Sequence, residues 1–255
     1  MLGSNMAPDE PSLSQDLAGS GAFHTTHWSI VLRAGQSDTG LAQRALEDLC
    51  QRYWYPIYCF VRRRGYSPED SQDLTQEFFS RLLASNGLAS VDRTKGKFRS
   101  FLLASVSHLL ANEWNRSQRQ KRGGGALHFS LDVAAAEGRF RLEPSDELTP
   151  ETIYERRWAE TVVDSVTSRL EAEFAEAGMA KRFEVLKVFL VADGEPASYA
   201  EMARRIEVSE GAVRTAIYRM RQRYGELFRA EIAQTVSGPH EMEEELRHFL
   251  AVLGG

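Results

Sequence analysis

The chain reads as all-α, with two small helical domains joined by a flexible linker. Three observations carry that reading. Apolar residues recur at helical spacing over most of residues 42–110 and 151–253, no βαβ alternation occurs, and Gly123-Gly124-Gly125 interrupts the pattern between the two blocks. At 255 residues and 42% hydrophobic content, the chain can build one large or two small cores.

Residues 1–23 are polar, rich in Gly, Ser and Pro, and read as a disordered tail. A short helix is expected around Trp28, Val31 and Leu32. From Ala42 the pattern strengthens: Leu46, Leu49, Cys50, Tyr53, Ile57 and Phe60 repeat at helical spacing, with Pro56 expected to kink the helix. Gly65 and the Ser67-Pro68 pair end it and cap the next. That next helix, Pro68 to Leu83, has an apolar face (Leu74, Phe78, Leu82) and an acidic one (Glu69, Asp70, Asp73, Glu77). Residues 85–97 form a polar loop. Phe98 to Arg119 is helical again, with Phe101, Leu102, Val106, Leu109 and Leu110 inside and an aromatic, basic end (Trp114, Asn115, Arg116, Arg119, Lys121, Arg122).

Residues 123–150 show no sustained periodicity and read as the linker. Acids (Asp132, Glu137, Glu143, Asp146, Glu147, with Glu151 at the edge) outnumber the bases Arg139 and Arg141 there. In the second block, residues 151–233, Trp158, Val162, Val166 and Leu170 form one stripe, and Phe183, Leu186, Phe189 and Leu190 another. Residues 234–255 add an amphipathic helix carrying Met242, Leu246, Phe249, Leu250 and Leu253, expected to dock on its own domain.

The most informative stretch is SYAEMARRIEVSEGAVRTAIYRMRQR, residues 198–223, which has the pattern of a helix-turn-helix. Counting from Tyr199, a small Ala203 stands fifth and Val213 fifteenth, the two points where the paired helices pack closely. Tyr199, Met202, Ala203 and Ile206 make one apolar stripe; Val213, Ile217, Met220 and Tyr224 make the next. Ser209 is the expected N-cap between them. The ninth position favours a left-handed backbone and is Glu207, a non-glycine placement that costs roughly 1–2 kcal/mol. Opposite the packing stripe lie Gly211, Arg214, Thr215, Tyr218 and Gln222, flanked by Arg219 and Arg221. Residues 212–224 hold four arginines and no acid, so polar groups for base edges and cations for phosphates share one helix. An ordinary helical hairpin with a solvated basic face is the plain alternative.

The net charge of −5 opposes non-specific DNA affinity, but charge is segregated. Residues 114–122 (WNRSQRQKR) hold four basic groups and no acid, while acids collect in the tail, at 137–151 and at 241–245. Cys50 and Cys59 fall within an apolar helical pattern and read as reduced core residues. The histidines lack ligand spacing, so no metal and no cofactor is expected. No nucleophile and base pair, carboxylate cluster or Gly-rich phosphate loop points to an enzyme. No apolar run approaches membrane-spanning length and the N-terminus lacks signal-peptide character, so a cytoplasmic protein with no membrane partner is expected.

The order of these features resembles the extracytoplasmic-function group of bacterial sigma-70 factors, over roughly residues 40–232. ALEDLCQRYWYPIYCFVRRRG resembles region 2.1 and PEDSQDLTQEFFSRLL region 2.2. KFRSFLLASVSHLLANEWNRSQRQKR resembles regions 2.3 and 2.4, and residues 198–223 region 4.2. The resemblance implies a region 2 domain over residues 24–122, for core polymerase docking and −10 recognition, and a region 4 domain over residues 151–233 for −35 recognition. Implied partners are promoter DNA and core RNA polymerase, through its largest-subunit coiled coil and its flap. Asp70, Asp73 and Glu77 match the docking positions, while Gln72 replaces a usual Glu. A solvated acidic face is the plain alternative. Asn112, Trp114, Asn115, Arg116 and Arg119 match the −10 contacts, where rings stack on unpaired bases and cations hold the backbone. Ser209, Gly211, Arg214, Thr215, Tyr218, Arg219, Arg221 and Gln222 match the −35 contacts. The 85–97 loop matches one that captures a flipped base.

The KRGGG run, the linker and the C-terminal extension are similar to a longer sub-type often associated with Ser/Thr kinases, so a kinase or an anti-sigma factor is an expected regulator. Thr75 and Ser71 are candidate phosphosites by type, although helical geometry turns both toward the apolar face. The acidic linker reads either as a phosphate-backbone mimic or as a plain tether. The implied function is transcription initiation, with promoter melting by the region 2 domain and no covalent chemistry. An autonomous helix-turn-helix regulator with a helical sensing domain is the alternative.

Overall fold

The computed structural model describes residues 40–84, 97–117, 133–141, 148–191, 198–236 and 238–254. These residues form ten helices and no strand, so the all-α class holds. The tail, the helix expected around Trp28, loop residues 85–96 and the basic run 118–122 lie outside the described residues. Among those described, no helix is long and apolar enough to cross a membrane.

Helix α1, Gly40–Arg63, continues through Pro56. Its end is a glycine turn: Gly65 has φ 94° and its N–H donates to the Arg62 carbonyl at 3.0 Å. Helix α2, Pro68–Ala84, then starts on Ser67, whose Oγ accepts from the Asp70 N–H at 3.0 Å and donates to the Asp70 carboxylate at 2.9 Å. Helix α3 is Phe98–Ser117. The apolar faces read from the sequence meet: Leu49, Tyr53, Ile57, Phe60, Phe78, Leu82, Leu102 and Val106 share one buried cluster. Cys50 and Cys59 are buried and free, and burial, with Glu47 adding to it, pushes the Cys50 thiol up to about 12.

Residues 123–150 are not structureless. Helix α4, Val133–Arg141, lies inside the segment read as linker, with Ala136 and Glu137 buried against α1. Glu137 accepts from Tyr58 Oη at 2.8 Å and from Arg62 through both carboxylate oxygens, at 3.0 and 2.9 Å. Two of the acids counted toward a phosphate mimic are therefore engaged within the protein, Glu137 with Arg62 and Glu151 with Arg64. The acids Asp132, Glu143, Asp146 and Glu147 lie outside the described residues.

Helix α5, Pro150–Glu176, is the axis of the molecule. Thr149 caps it, with Oγ1 accepting from the Thr152 N–H at 3.1 Å, and Pro150 opens it. Its 27 residues make a rod of about 40 Å. The stripe Trp158, Val162, Val166, Leu170 is buried as expected, yet it serves two cores. Tyr154, Trp158 and Val162 join the α1–α3 cluster; Val166 and Leu170 join a second cluster with α6 (Ala180–Leu186), α7 (Val188–Val191), α8 (Tyr199–Arg205) and α9 (Glu210–Ala233). The first cluster also takes Ile232 of α9 and Phe249 of α10, which spans Pro239–Gly254. The two blocks therefore share buried residues.

Helix α10 docks on its own chain, with two departures from the sequence reading. Leu250 and Leu253 are exposed, at 65% and 42%, and the packed face instead carries Glu245, at 0% exposure. Glu245 binds Arg99 of α3, Oε1 to Nε at 2.7 Å and Oε2 to Nη2 at 3.2 Å, and Lys97 at 3.0 Å. Arg99 also bonds Glu155 of α5 and lies over the Trp158 ring, 5.0 Å from its centroid. Burial pulls the Arg99 pKa down, but the Glu245 and Glu155 carboxylates outweigh it and leave the guanidinium above its usual value.

Candidate nucleic-acid interface

The helix-turn-helix is built as its local chemistry directs. Helix α8 ends where the Val208 N–H reaches back to the Ala203 carbonyl at 3.0 Å, and the residue between them in the left-handed region is Glu207, φ 58°. It is the sole non-glycine at positive φ among the described residues, at the position the sequence singled out. Ser209 then caps α9, its Oγ accepting from the Ala212 N–H at 3.2 Å. Ala203 and Val213 are both buried where the helices meet. Since a glycine adopts this φ without strain, Glu207→Gly is expected to raise unfolding stability by about 1 kcal/mol, measured by urea titration.

The face of α9 opposite Val213, Ile217 and Met220 points outward. Gly211, Arg214, Thr215, Arg219 and Gln222 are exposed, and Tyr218 is 61% exposed. Gln222 Nε2 donates to Tyr218 Oη at 2.7 Å, pairing two groups of different reach on one strip. Thr215 Oγ1 donates to the Gly211 carbonyl at 3.0 Å, which leaves the hydroxyl as an acceptor.

The four arginines between residues 212 and 224 are not equivalent. Arg221 is exposed but turns toward α7, donating Nε and Nη2 to the Phe189 carbonyl at 3.0 and 2.8 Å, so part of its donor set is used within the protein. Arg223 makes a two-pronged bond to Glu173 of α5, both prongs at 2.8 Å; that bond raises the Arg223 pKa and lowers that of Glu173. Arg214 and Arg219 are left for a ligand. If this face of α9 reads DNA, Arg214→Ala is expected to weaken binding of DNA duplex more than Arg229→Ala, by roughly 1–3 kcal/mol for a lost bidentate base contact, in DNA-binding assays. Equal effects of the two changes would mean that α9 presents another face.

On α2 the acids point outward as expected. Glu69, Asp70 and Asp73 are exposed and Glu77 is half-buried, paired with Arg81, which also reaches Glu113 at 3.2 Å. Asp70 is held by Ser67 and Glu77 by Arg81, so Glu69 and Asp73 are the acids of this face with no partner among the described residues. Ser71 and Thr75 lie on the other side at 0% exposure, and Thr75 Oγ1 donates to the Ser71 carbonyl at 2.7 Å. Thr75 is thus packed in the core with its hydroxyl held by a backbone carbonyl, the packed arrangement that helical geometry favours over an accessible phosphosite.

The basic end of α3 is only partly described. Asn112 is exposed and its amide nitrogen meets His108 Nδ1 at 3.3 Å. For Trp114, Asn115 and Arg116 only the helical backbone is described, and Arg119 lies outside the described residues. Compared with protein-family models, with curated proteins and with solved structures, the chain matches none. The family resemblance therefore rests on the motifs and their order alone.

Proposed function

We propose that this chain is a transcription initiation factor of the sigma-70 type, working in the cytoplasm. It binds core RNA polymerase and directs it to promoters with −10 and −35 elements. The observation that carries the reading is the outward face of α9, where Arg214, Thr215, Tyr218, Arg219 and Gln222 stand together behind a capped helix start and no acid intervenes between residues 212 and 224. A helix of this kind offers donors and acceptors to base edges and cations to phosphates. The exposed acids of α2, on an unrelated face, supply what a basic partner surface needs. In this reading residues 24–122 and 151–233 are two functional domains, with 123–150 joining them. Unpaired bases stack on the aromatic end of α3 while DNA melts.

One observation favours the alternative, an autonomous helix-turn-helix regulator. Ile232 and Phe249 are buried with residues of α1–α3, which makes the blocks a single packed unit. Capture of fragments from a genomic DNA library separates the two. With the full-length protein and core polymerase together, a small set of fragments is expected, and with the protein alone little enrichment. Equal enrichment without polymerase establishes the regulator instead.

A further inference from the structure

Tyr199 opens α8 and belongs to the apolar stripe that packs the two helices of the motif, so the sequence assigns it no part in recognition. Its ring nevertheless meets two partners. Phe189 of α7 is parallel to it, with centroids 5.7 Å apart and planes inclined by 3°. The guanidinium carbon of Arg214 lies over the same ring, 5.1 Å from its centroid. Phe189 is itself fixed, because its carbonyl receives two N–H bonds from Arg221 at 3.0 and 2.8 Å. Arg221, Phe189, Tyr199 and Arg214 thus form a chain from the middle of α9, through two other helices, back to the first turns of α9.

This chain gives Arg221 a role within the fold, while Arg214 on the same helix stays exposed. An arginine on a flexible stem samples many rotamers and loses that freedom when it binds. An aromatic face restrains the guanidinium by cation–π attraction while consuming none of its hydrogen-bond donors. Arg214 is exposed and makes no hydrogen bond among the described residues, so its N–H groups stay available for the bidentate pattern that guanine offers in the major groove.

We propose that Tyr199, braced by Phe189, is a positioning residue that holds the Arg214 guanidinium ready for a base contact before DNA arrives. The proposal rests on α9 being the recognition helix. It predicts that the ring matters and the hydroxyl does not, and that Tyr199 acts only through Arg214.

The test is a double-mutant cycle on the full-length protein with core polymerase. The probe is the genomic fragment most enriched by the wild type, together with its single-base-pair variants. Tyr199→Leu is expected to weaken binding about two- to five-fold, the range for one exposed cation–π contact. Tyr199→Phe is expected to bind as the wild type does. In an Arg214→Ala background Tyr199→Leu is expected to have no further effect, and both single changes relax discrimination at the same base pair. If Tyr199→Leu costs the same factor with and without Arg214, or costs nothing while Arg214→Ala weakens binding, the positioning role is overturned and the recognition helix stands. If Arg214→Ala itself leaves affinity and discrimination unchanged, the recognition reading falls too. Should Tyr199→Leu not fold, Tyr199→Met takes its place in the cycle.

Discussion

Glu245→Ala is expected to lower unfolding stability by about 3 kcal/mol, the lower end of the cost of breaking a buried ion pair. Arg99 is 4% exposed, and its two-pronged partner is Glu245; without it, a buried guanidinium keeps only Glu155. Lys97 loses one carboxylate and keeps Glu244. For a chain of this size the change corresponds to a fall of about 10 °C in Tm. The cost lies in stranding a charge rather than in losing attraction. Arg99→Met combined with Glu245→Leu, which removes both charges, should therefore recover most of the stability. A double variant no more stable than Glu245→Ala would mean that the network holds α10 by geometry that apolar packing cannot replace. Thermal and urea unfolding of the three proteins decides the matter.

Asp73→Lys combined with Glu77→Lys is expected to abolish association with core polymerase while the protein stays helical. Asp73 is exposed and Glu77 half-buried on the outer face of α2, away from Phe78, Phe79 and Leu82, so the core is untouched. Within the protein the double change loses the Glu77 contact with Arg81 and sets like charges one turn apart, worth a few tenths of a kcal/mol. Across an interface with a basic partner, each reversal sets like charges together at several kcal/mol. About a thousand-fold loss of affinity is the expectation in a pull-down with core polymerase, with circular dichroism confirming the helix content. Undiminished binding would remove the docking role from this face.

The parts of the fold read directly from the sequence are those whose causes are local. Ser209 caps the helix that begins one residue later, Gly65 closes the helix that ends two residues before it, and Glu207 takes the left-handed position because the two flanking stripes leave one turn between them. The stripe Trp158, Val162, Val166, Leu170 was equally legible as a buried face. Nothing along α5 marks where one core stops and the next begins, because that boundary is drawn by what arrives from elsewhere: α1 and Phe249 on one half, Phe183 and Met202 on the other. Long-range partners account for the remaining departures. Glu245 belongs to the acidic run 241–245, and it is buried because Arg99 stands opposite it from another part of the chain. Arg214 and Arg221 lie two turns apart on nearly the same side of α9, and the Phe189 carbonyl, present only beside the second, separates their roles. Helix α4 is not legible in the sequence because its nine residues are too short for a periodicity to register.

Run-off transcription tests whether this protein initiates transcription with core polymerase. Purified core polymerase is mixed with the full-length protein and the DNA fragments that the pair enriches from a genomic library. Discrete transcripts with fixed start points on those fragments are expected, absent with core polymerase alone, reduced by Arg214→Ala and lost with the combined Asp73→Lys and Glu77→Lys change. Fragments bound by the protein by itself, together with no protein-dependent transcript from core polymerase, would contradict the initiation role.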